Sequence, residues 1–560
     1  MAQALSPLNL AIPLGLLVLF LLGWSFPTQG DCGFRAIEDA GSRLAKRKSL
    51  VILTLILAVL LIRIPFLLSM RVPIPAVHDE FSYLLAADTF AHGRLTNPPH
   101  PMWRFFETIH VNQLPTYMSK YAPAQGAILA VGQLLGHPWI GVLLSMALMC
   151  GSLLWMLQGW LPPRWALLGA LLVFLRFGLF SYWMNTYWGG AVAAVGGALV
   201  LGALPRVLHW QRPRDAMFLG SGIAILANSR LLEGFLFCLP VAVYLALWML
   251  GRRSVSWHVK LTRVCAPLLL VLIPTAVFIG YYNWRVTGNP LLLPYVVNDQ
   301  TYLPPPPFFW ENLAAPIHQQ NPQMEGFYNG WARSYWLRSR FAFHGRVEKF
   351  AYFFLWPELC LALLTLPCFW KDRRIRFLLL QFAFCFAGLL AVVWFEPHYA
   401  APLLATLIVI VVQGIRHLRQ WRTTRRGYGL AFTRAIVTFA VAMNFVYAIK
   451  AARNPQTRSL VAPAGAWGAA GNLARARTQV ELAERPGLQL AIVRYLPESN
   501  GEWVYNKADI DHAKVVWARE TPGMNIRPLL EYFKGRSVWL VEPTRDGARV
   551  SPYPIMPSLR

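Results

Sequence analysis

Apolar residues in this chain come in blocks of about 20, and that length limits the possible folds more than any other feature of the sequence. A helix rising about 1.5 Å per residue needs about 20 residues to cross about 30 Å of hydrocarbon. The blocks predict spans near 8–26, 49–71, 138–159, 165–183, 188–204, 216–229, 232–250, 264–282, 350–369, 377–395, 399–415 and 431–450. The fold class expected is therefore mainly α: a polytopic membrane helical bundle of about 11–12 transmembrane helices. Of the 560 residues 56% are hydrophobic and only 14% charged, too apolar a balance for an ordinary soluble domain. The 23 Trp and 20 Tyr suit aromatic belts at headgroup level.

Residues 8–26 lack a basic leader and a small-residue cleavage site, which argues against a cleaved signal peptide. They read as an extra spanning helix or as an over-extended start. The organisation expected is three-part. Residues 1–48 carry the extra hydrophobic segment and a basic linker, 49–450 the transmembrane catalytic domain with long loops 72–137 and 283–349, and 451–560 a small domain.

The net charge of +26 would suit nucleic acid if it formed one soluble face, but it is spread over short loops between apolar blocks. Together with Arg164, the connections 27–48, 205–215, 251–263, 370–376 and 416–434 hold 23 Lys and Arg against five acids. Cytoplasmic loops carry such an excess. Loops 72–137 and 283–349 and the tail then face away from the cytoplasm, in a cell inner (plasma) membrane, and no nucleic-acid partner is expected. Seven cysteines, six of them in apolar blocks, form no disulfide framework.

Loop 72–137 opens with His78-Asp79-Glu80. Asp79 suits a helix N-cap and Gly93 a helix stop, so 79–92 is expected to form a helix along the membrane surface, followed by a second over Ala124–Leu135. Asp79 and Glu80 are the candidate catalytic pair. A carboxylate against apolar walls has a raised pKa and can take a proton from an acceptor hydroxyl or amine. Adjacent helical residues point about 100° apart, so one of the two is expected to do the chemistry. His78, His92, His100 and His110 share this loop, but their separations are irregular for a zinc site.

Cationic residues fall on the same side. Lys120, Arg176, Arg230 and Arg285 are candidate ligands for a donor phosphate, since charge-assisted bonds from Lys and Arg are what such a group needs. Arg63 also interrupts a span, as a functional cation or one snorkelling to headgroups. Arg230 and Glu233 are spaced to pair with each other. Tyr121, Gln125, Glu233, Asn283, His398 and Tyr399 complete the candidate substrate-binding set.

These residues resemble the GT-C superfamily of membrane glycosyltransferases, which includes the protein O-mannosyltransferases and the aminoarabinose transferase of lipid A. The likeness covers roughly 49–450. It is carried by Asp79-Glu80 after the span 49–71, by Ser119-Lys120-Tyr121-Ala122-Pro123-Ala124-Gln125, and by the stretches 227–234, 282–295 and 396–402. Ala122 departs from the pattern, where relatives often have consecutive prolines. The resemblance implies inverting transfer from a polyprenyl-phosphate-linked sugar to a lipid, glycan or protein acceptor, with Asp79 or Glu80 as base and Lys120 at the phosphate. It implies membrane lipids as surroundings, no fixed cofactor, and at most a divalent metal. A secondary transporter and a lipid-linked polysaccharide ligase or polymerase are the alternative readings. The transporter expects charges at the midplane and related halves; the ligase expects its essential residues in 283–349.

From 488 the pattern changes to short apolar runs, Leu488–Tyr495, Lys514–Trp517 and Ser537–Glu542, with a helix over Asn525–Phe533. This predicts a small α/β domain of three or four strands. Its polar stretches 502–506 and 509–511 read as surface loops, or as a lid or acceptor-docking module.

Overall fold

A computed structural model describes residues 14–554 apart from 16, 19, 23, 27–29, 68–71, 180, 252–254, 422–427, 454–471, 497–498, 500 and 545–546. The chain is an integral membrane protein, mostly helical. Its helices are α1 (Asp31–Ala45), α2 (Lys48–Arg63), α3 (His78–Ala91), α4 (Pro123–Leu134), α5 (Pro138–Trp160), α6 (Pro163–Val173), α7 (Ala191–Trp210), α8 (Pro213–Ala227), α9 (Leu231–Leu250), α10 (Ala266–Thr287) and α11 (Pro294–Tyr302). They continue as α12 (Phe343–Phe354), α13 (Trp356–Leu363), α14 (Arg373–Ala391), α15 (Leu404–Arg419), α16 (Tyr428–Arg453), α17 (Leu473–Glu484) and α18 (Arg527–Tyr532).

Among the described residues seven helices are long and apolar enough to cross a membrane, against the twelve spans expected. The span expected over 8–26 lies largely outside the described residues. Each of the other eleven coincides with a helix, but several are short or interrupted. Helix α6 passes into a π-helical turn at Phe174–Gly178, α8 has 15 residues, and α12 and α13 split the block 350–369. Hydropathy marks how apolar a block is but not where its backbone hydrogen bonding changes pattern.

The bundle core is α5, α7 and α15, the last preceded by a 3-10 turn (Pro397–Leu403). Small residues let α7 and α8 approach closely, the contact that drives helix association where both partners and solvent are apolar. A Cβ on Gly222 would stand 2.7 Å from the Gly196 carbonyl oxygen. Helix α10 instead exposes Leu270, Ile273 and Val277, an apolar surface suited to lipid.

The helix expected along the membrane surface is instead buried on nearly every side. Glu80, Phe81, Ser82, Tyr83, Leu85, Ala86, Ala87, Asp88 and Thr89 of α3 are all buried. Its N-cap is Val77 rather than Asp79, which moves Asp79 inside the first turn. The C-terminal residues form a mixed sheet of order β4-β3-β5-β6: β3 (Gln489–Val493), β4 (Val515–Arg519), β5 (Ser537–Pro543) and β6 (Ala548–Pro552). Strand β3 is parallel to both β4 and β5, and β6 is antiparallel to β5. A short ladder, β1 (Val111–Asn112) with β2 (Met118–Ser119), orders the loop between α3 and α4.

Candidate active site

The two neighbouring acids at the start of α3 have opposite surroundings. Glu80 is fully buried and its carboxylate accepts from three backbone N–H groups: Ala76 at 2.8 Å, Val77 at 3.2 Å and Tyr187 at 3.0 Å. The first two belong to the chain entering α3, so the carboxylate closes the helix start as an N3 acid does in a capping box. The third ties that start to the loop between α6 and α7. Gln125 of α4 donates to the Tyr187 carbonyl at 2.9 Å, and the Tyr187 hydroxyl donates to the Pro73 carbonyl at 2.9 Å. Burial raises the Glu80 pKa to about 7, against the pull of its three donors. Glu80 is thus placed as a brace.

Asp79 is half-buried and keeps an oxygen available. Its Oδ1 accepts from the Tyr121 hydroxyl. The Tyr121 ring stacks on Tyr83 at 4.6 Å. Lys120 is 5% exposed, yet its ammonium makes no hydrogen bond or ion pair with a described residue. It lies over the rings of Tyr295, at 4.6 Å, and Tyr121, at 5.5 Å. Burial pulls its pKa down, while the charges of Asp299 and Asp79 support its proton.

A 2.8 Å bond from the Ala124 N–H to the Asn228 carbonyl holds the start of α4 against the turn before α9, which brings Arg230 to the same rim. The Arg230 guanidinium lies 4.4 Å above the Tyr399 ring and likewise has no hydrogen bond to a described side chain. It does not form the expected ion pair with Glu233, which is buried in the first turn of α9. His398, beside Tyr399, is fixed by the Tyr182 hydroxyl at 3.0 Å from its Nδ1 and stacks on Trp188.

Three other predicted residues lie elsewhere. Arg176 caps the end of α12, donating to the carbonyls of Phe353 at 2.9 Å and Tyr352 at 2.8 Å. Arg285 is exposed on α10, where it bonds to the Tyr281 hydroxyl at 3.1 Å. Asn283 donates to the Pro290 carbonyl at 3.2 Å and shapes the turn after α10. Arg63 is fully buried, bonded to Asn185 at 2.8 Å and 5.4 Å from the Trp139 ring centre, so it neither snorkels nor lines the rim. The sequence offered Arg176 and Arg285 to a phosphate because it does not show the carbonyls that take the Arg176 donors or the exposure of Arg285.

It also missed residues that α11 delivers. Tyr295 forms part of the bed for Lys120, and Asp299 presents its charge to the same ammonium. Asp299 Oδ1 is buried without a hydrogen-bond partner, and burial lifts its pKa to about 6. Tyr295 closes the stretch 282–295 that carries the resemblance, whereas Asp299 had no signal beyond membership of loop 283–349. His78 meets the C-terminal domain: its Nδ1 is 2.5 Å from the Tyr505 hydroxyl, and Tyr505 lies flat on Phe81 at 3.9 Å. Further along α3, Asp88 accepts from the Ala508 N–H at 2.8 Å. The segment 502–511 therefore runs against the helix that carries Asp79.

No group of three His, Cys, Asp or Glu side chains placed to hold a metal ion occurs among the described residues. Glu80 spends its oxygens on backbone donors.

No family model and no curated protein matches the chain. Among solved structures it is similar to ArnT from Cupriavidus metallidurans bound to undecaprenyl phosphate. The identity is 12%, the TM-score 0.48, and the alignment covers 88% of this chain and 92% of that one. The apo state of the same protein aligns at 13% identity and a TM-score of 0.47, over 88% and 92%. The Archaeoglobus fulgidus oligosaccharyltransferase in complex with Zn and sulfate aligns at 13% identity and a TM-score of 0.44, over 79% of this chain and 60% of that one.

Proposed function

We propose that this chain is a GT-C-type membrane glycosyltransferase that moves a sugar from a polyprenyl-phosphate carrier to a glycan or lipid acceptor. One observation carries the reading. A carboxylate with a free oxygen, Asp79, sits at a rim with Lys120 and Arg230, whose charged groups have no hydrogen-bond partner among the described residues. A buried cation without a partner is costly, and a lipid phosphate arriving between Lys120 and Arg230 would supply the missing acceptors.

The residues divide the work as follows. Lys120 and Arg230 hold the phosphate and stabilise the negative charge that grows on it as it leaves. Asp79 takes the proton from the acceptor hydroxyl or amine. The acceptor forms its bond to the anomeric carbon while the bond from that carbon to the phosphate oxygen breaks. The bonding electrons and negative charge stay on the lipid phosphate. A single displacement of this kind inverts the anomeric centre. Tyr121 aims Asp79, and Tyr295 and Tyr399 provide flat walls for the two cations. The excess of Lys and Arg in the alternate short loops supports a site on the extracytoplasmic side.

The test begins by finding the envelope lipid or glycan that changes when the gene is deleted. Asp79→Asn, inserted at wild-type level, is expected to lower transfer by about 10²–10⁴-fold, the usual contribution of a positioned base. Undiminished transfer by this variant would remove Asp79 from the mechanism. Labelling of single cysteines placed at 511 and at 212 with an impermeant reagent tests the orientation: only the first is expected to react in intact cells.

A further inference from the structure

Outside the Asp79 rim, a cleft of about 360 Å³ opens where three distant parts of the chain meet. Arg494 and Tyr495 follow strand β3, Glu520 and Thr521 follow β4, Gln323 comes from the second long loop and Phe105 from the first. Strand β3 has parallel partners on both sides, one later strand placed to its left and the next to its right. The chain thus reverses its winding beside β3. That reversal lies between β3 and β5, whereas the cleft lies beyond the carboxyl ends of β3 and β4, where the chain leaves the sheet. The volume lies within the range of about 300–1,000 Å³ usual for small-molecule sites.

The polar groups here narrow the ligand. Arg494 is already matched, donating to both oxygens of Glu520 at 2.5 and 3.1 Å with Glu542 at 3.7 Å. Among the described residues lining the cleft, no unmatched positive charge is left for a phosphate or carboxylate. Thr521 is 6% exposed, lines the cleft, and its buried hydroxyl has no hydrogen-bond partner among the described residues. The turn that fixes it is a Pro-Gly turn in which the Met524 N–H donates to the Thr521 carbonyl at 3.0 Å and Gly523 takes φ 80°. A buried hydroxyl without a partner costs free energy that a ligand bearing both donors and acceptors would recover. The rings of Phe105 and Tyr495 add apolar surface beside it.

The cleft is separated from Asp79 by a wall of hydrogen bonds. Arg519 bonds to Glu502 at 2.5 Å, to the Glu107 carbonyl at 3.2 Å and to Gln323 at 2.7 Å, and Tyr302 bonds to Glu107 at 3.1 Å.

We propose that this cleft is a second, non-catalytic site that binds a neutral saccharide. It would dock sugar units of the acceptor that do not react, and to that extent it rests on the glycosyltransferase reading. Neutral sugars carry hydroxyls that both donate and accept, with an apolar ring face for the aromatics, and they need no charge.

The experiment is saturation-transfer NMR on the full chain in detergent with maltose, cellobiose, chitobiose and mannobiose as separate probes. At least one disaccharide is expected to show contact with the wild type, Thr521→Ser and Asp79→Asn, and about five-fold weaker binding with Thr521→Val. Should Thr521→Val lower the unfolding midpoint, Met524→Arg, which fills the mouth from a half-buried position, is expected to abolish the signal. The proposal is overturned if no disaccharide binds the wild type, if Thr521→Val and Met524→Arg bind as the wild type does, if Asp79→Asn loses binding, or if inorganic phosphate displaces the sugar. Because the readout needs no transfer, the two readings fail separately. Binding alongside undiminished transfer by Asp79→Asn sinks only the catalytic one, and no binding alongside lost transfer sinks only this one.

Discussion

The two sides of helix α3 differ in how completely their polar groups are satisfied. Toward the C-terminal domain, His78 meets Tyr505, Asp88 holds the Ala508 N–H and the Gln133 amide, and Arg475 donates to the carbonyls of Trp503 and Tyr505 while lying over Phe81. Toward the rim, Lys120 and Arg230 rest on tyrosine rings, and Asp299 keeps an orphan oxygen. Folding alone selects for the first condition, since a buried polar group without a partner costs about 1–3 kcal/mol. The second condition opposes stability, and in the proposed function it is where the donor phosphate binds. Arg176 and Lys120 make the same contrast between single cations: both are about 5% exposed, yet Arg176 caps a helix while Lys120 makes no hydrogen bond with its ammonium among the described residues.

The largest effect is expected from removing the unsatisfied cations. Lys120→Met is expected to raise the donor KM by about 10–100-fold and to lower kcat as well, because a charge-assisted bond worth about 1.5–3 kcal/mol strengthens as the phosphate leaves. An unchanged donor KM would mean that the phosphate binds elsewhere. Next comes Glu80→Gln, which places an amide donor among three backbone donors. It should cost about 1–3 kcal/mol of stability at pH 8, measured by thermal unfolding, while the folded fraction keeps its activity.

The pH dependence of that variant sharpens the point. Burial raises the folded-state pKa of Glu80 to about 7, above its usual carboxylate value of 4.5. The folded state then holds the proton more tightly than the unfolded one. The associated stability is fully present below about pH 4.5 and is lost as pH rises toward 7. Wild type is therefore expected to lose more stability than Glu80→Gln between pH 4.5 and 7.5, and equal slopes would contradict the burial argument.

Smaller effects are expected on the satisfied side. Tyr505→Phe keeps the ring on Phe81 and removes the bond to His78, so kcat should fall about five-fold with the donor KM unchanged. A larger effect on the donor KM would make the C-terminal domain part of the donor site. Smallest of all, Arg285→Ala should change transfer less than two-fold, because an exposed pair with Tyr281 contributes about 0–1 kcal/mol.

Much of this was legible in the sequence because it is local. The apolar blocks located eleven helices, the composition change near 488 located the sheet domain, and the polar cluster Asp79, Lys120, Tyr121, Arg230 and Tyr399 gathers at one rim. The different surroundings of Asp79 and Glu80 were not legible. They depend on the Tyr187 N–H, 107 positions away in the chain. Nor was the course of α3, whose apolar stripe read as a membrane-surface face, whereas its other side is covered by residues 502–511.

By itself, the sequence determined which segments are apolar enough for hydrocarbon and which short connections between them carry the excess of Lys and Arg. Those outcomes follow from transfer free energies that each residue carries with it. Only the tertiary structure decided which charges are consumed and which remain open. A guanidinium or carboxylate has no assigned partner until distant backbone carbonyls and N–H groups are brought within about 3 Å of it. That proximity made braces of Arg176 and Glu80 and left Asp79, Lys120 and Arg230 at the rim with capacity to bind.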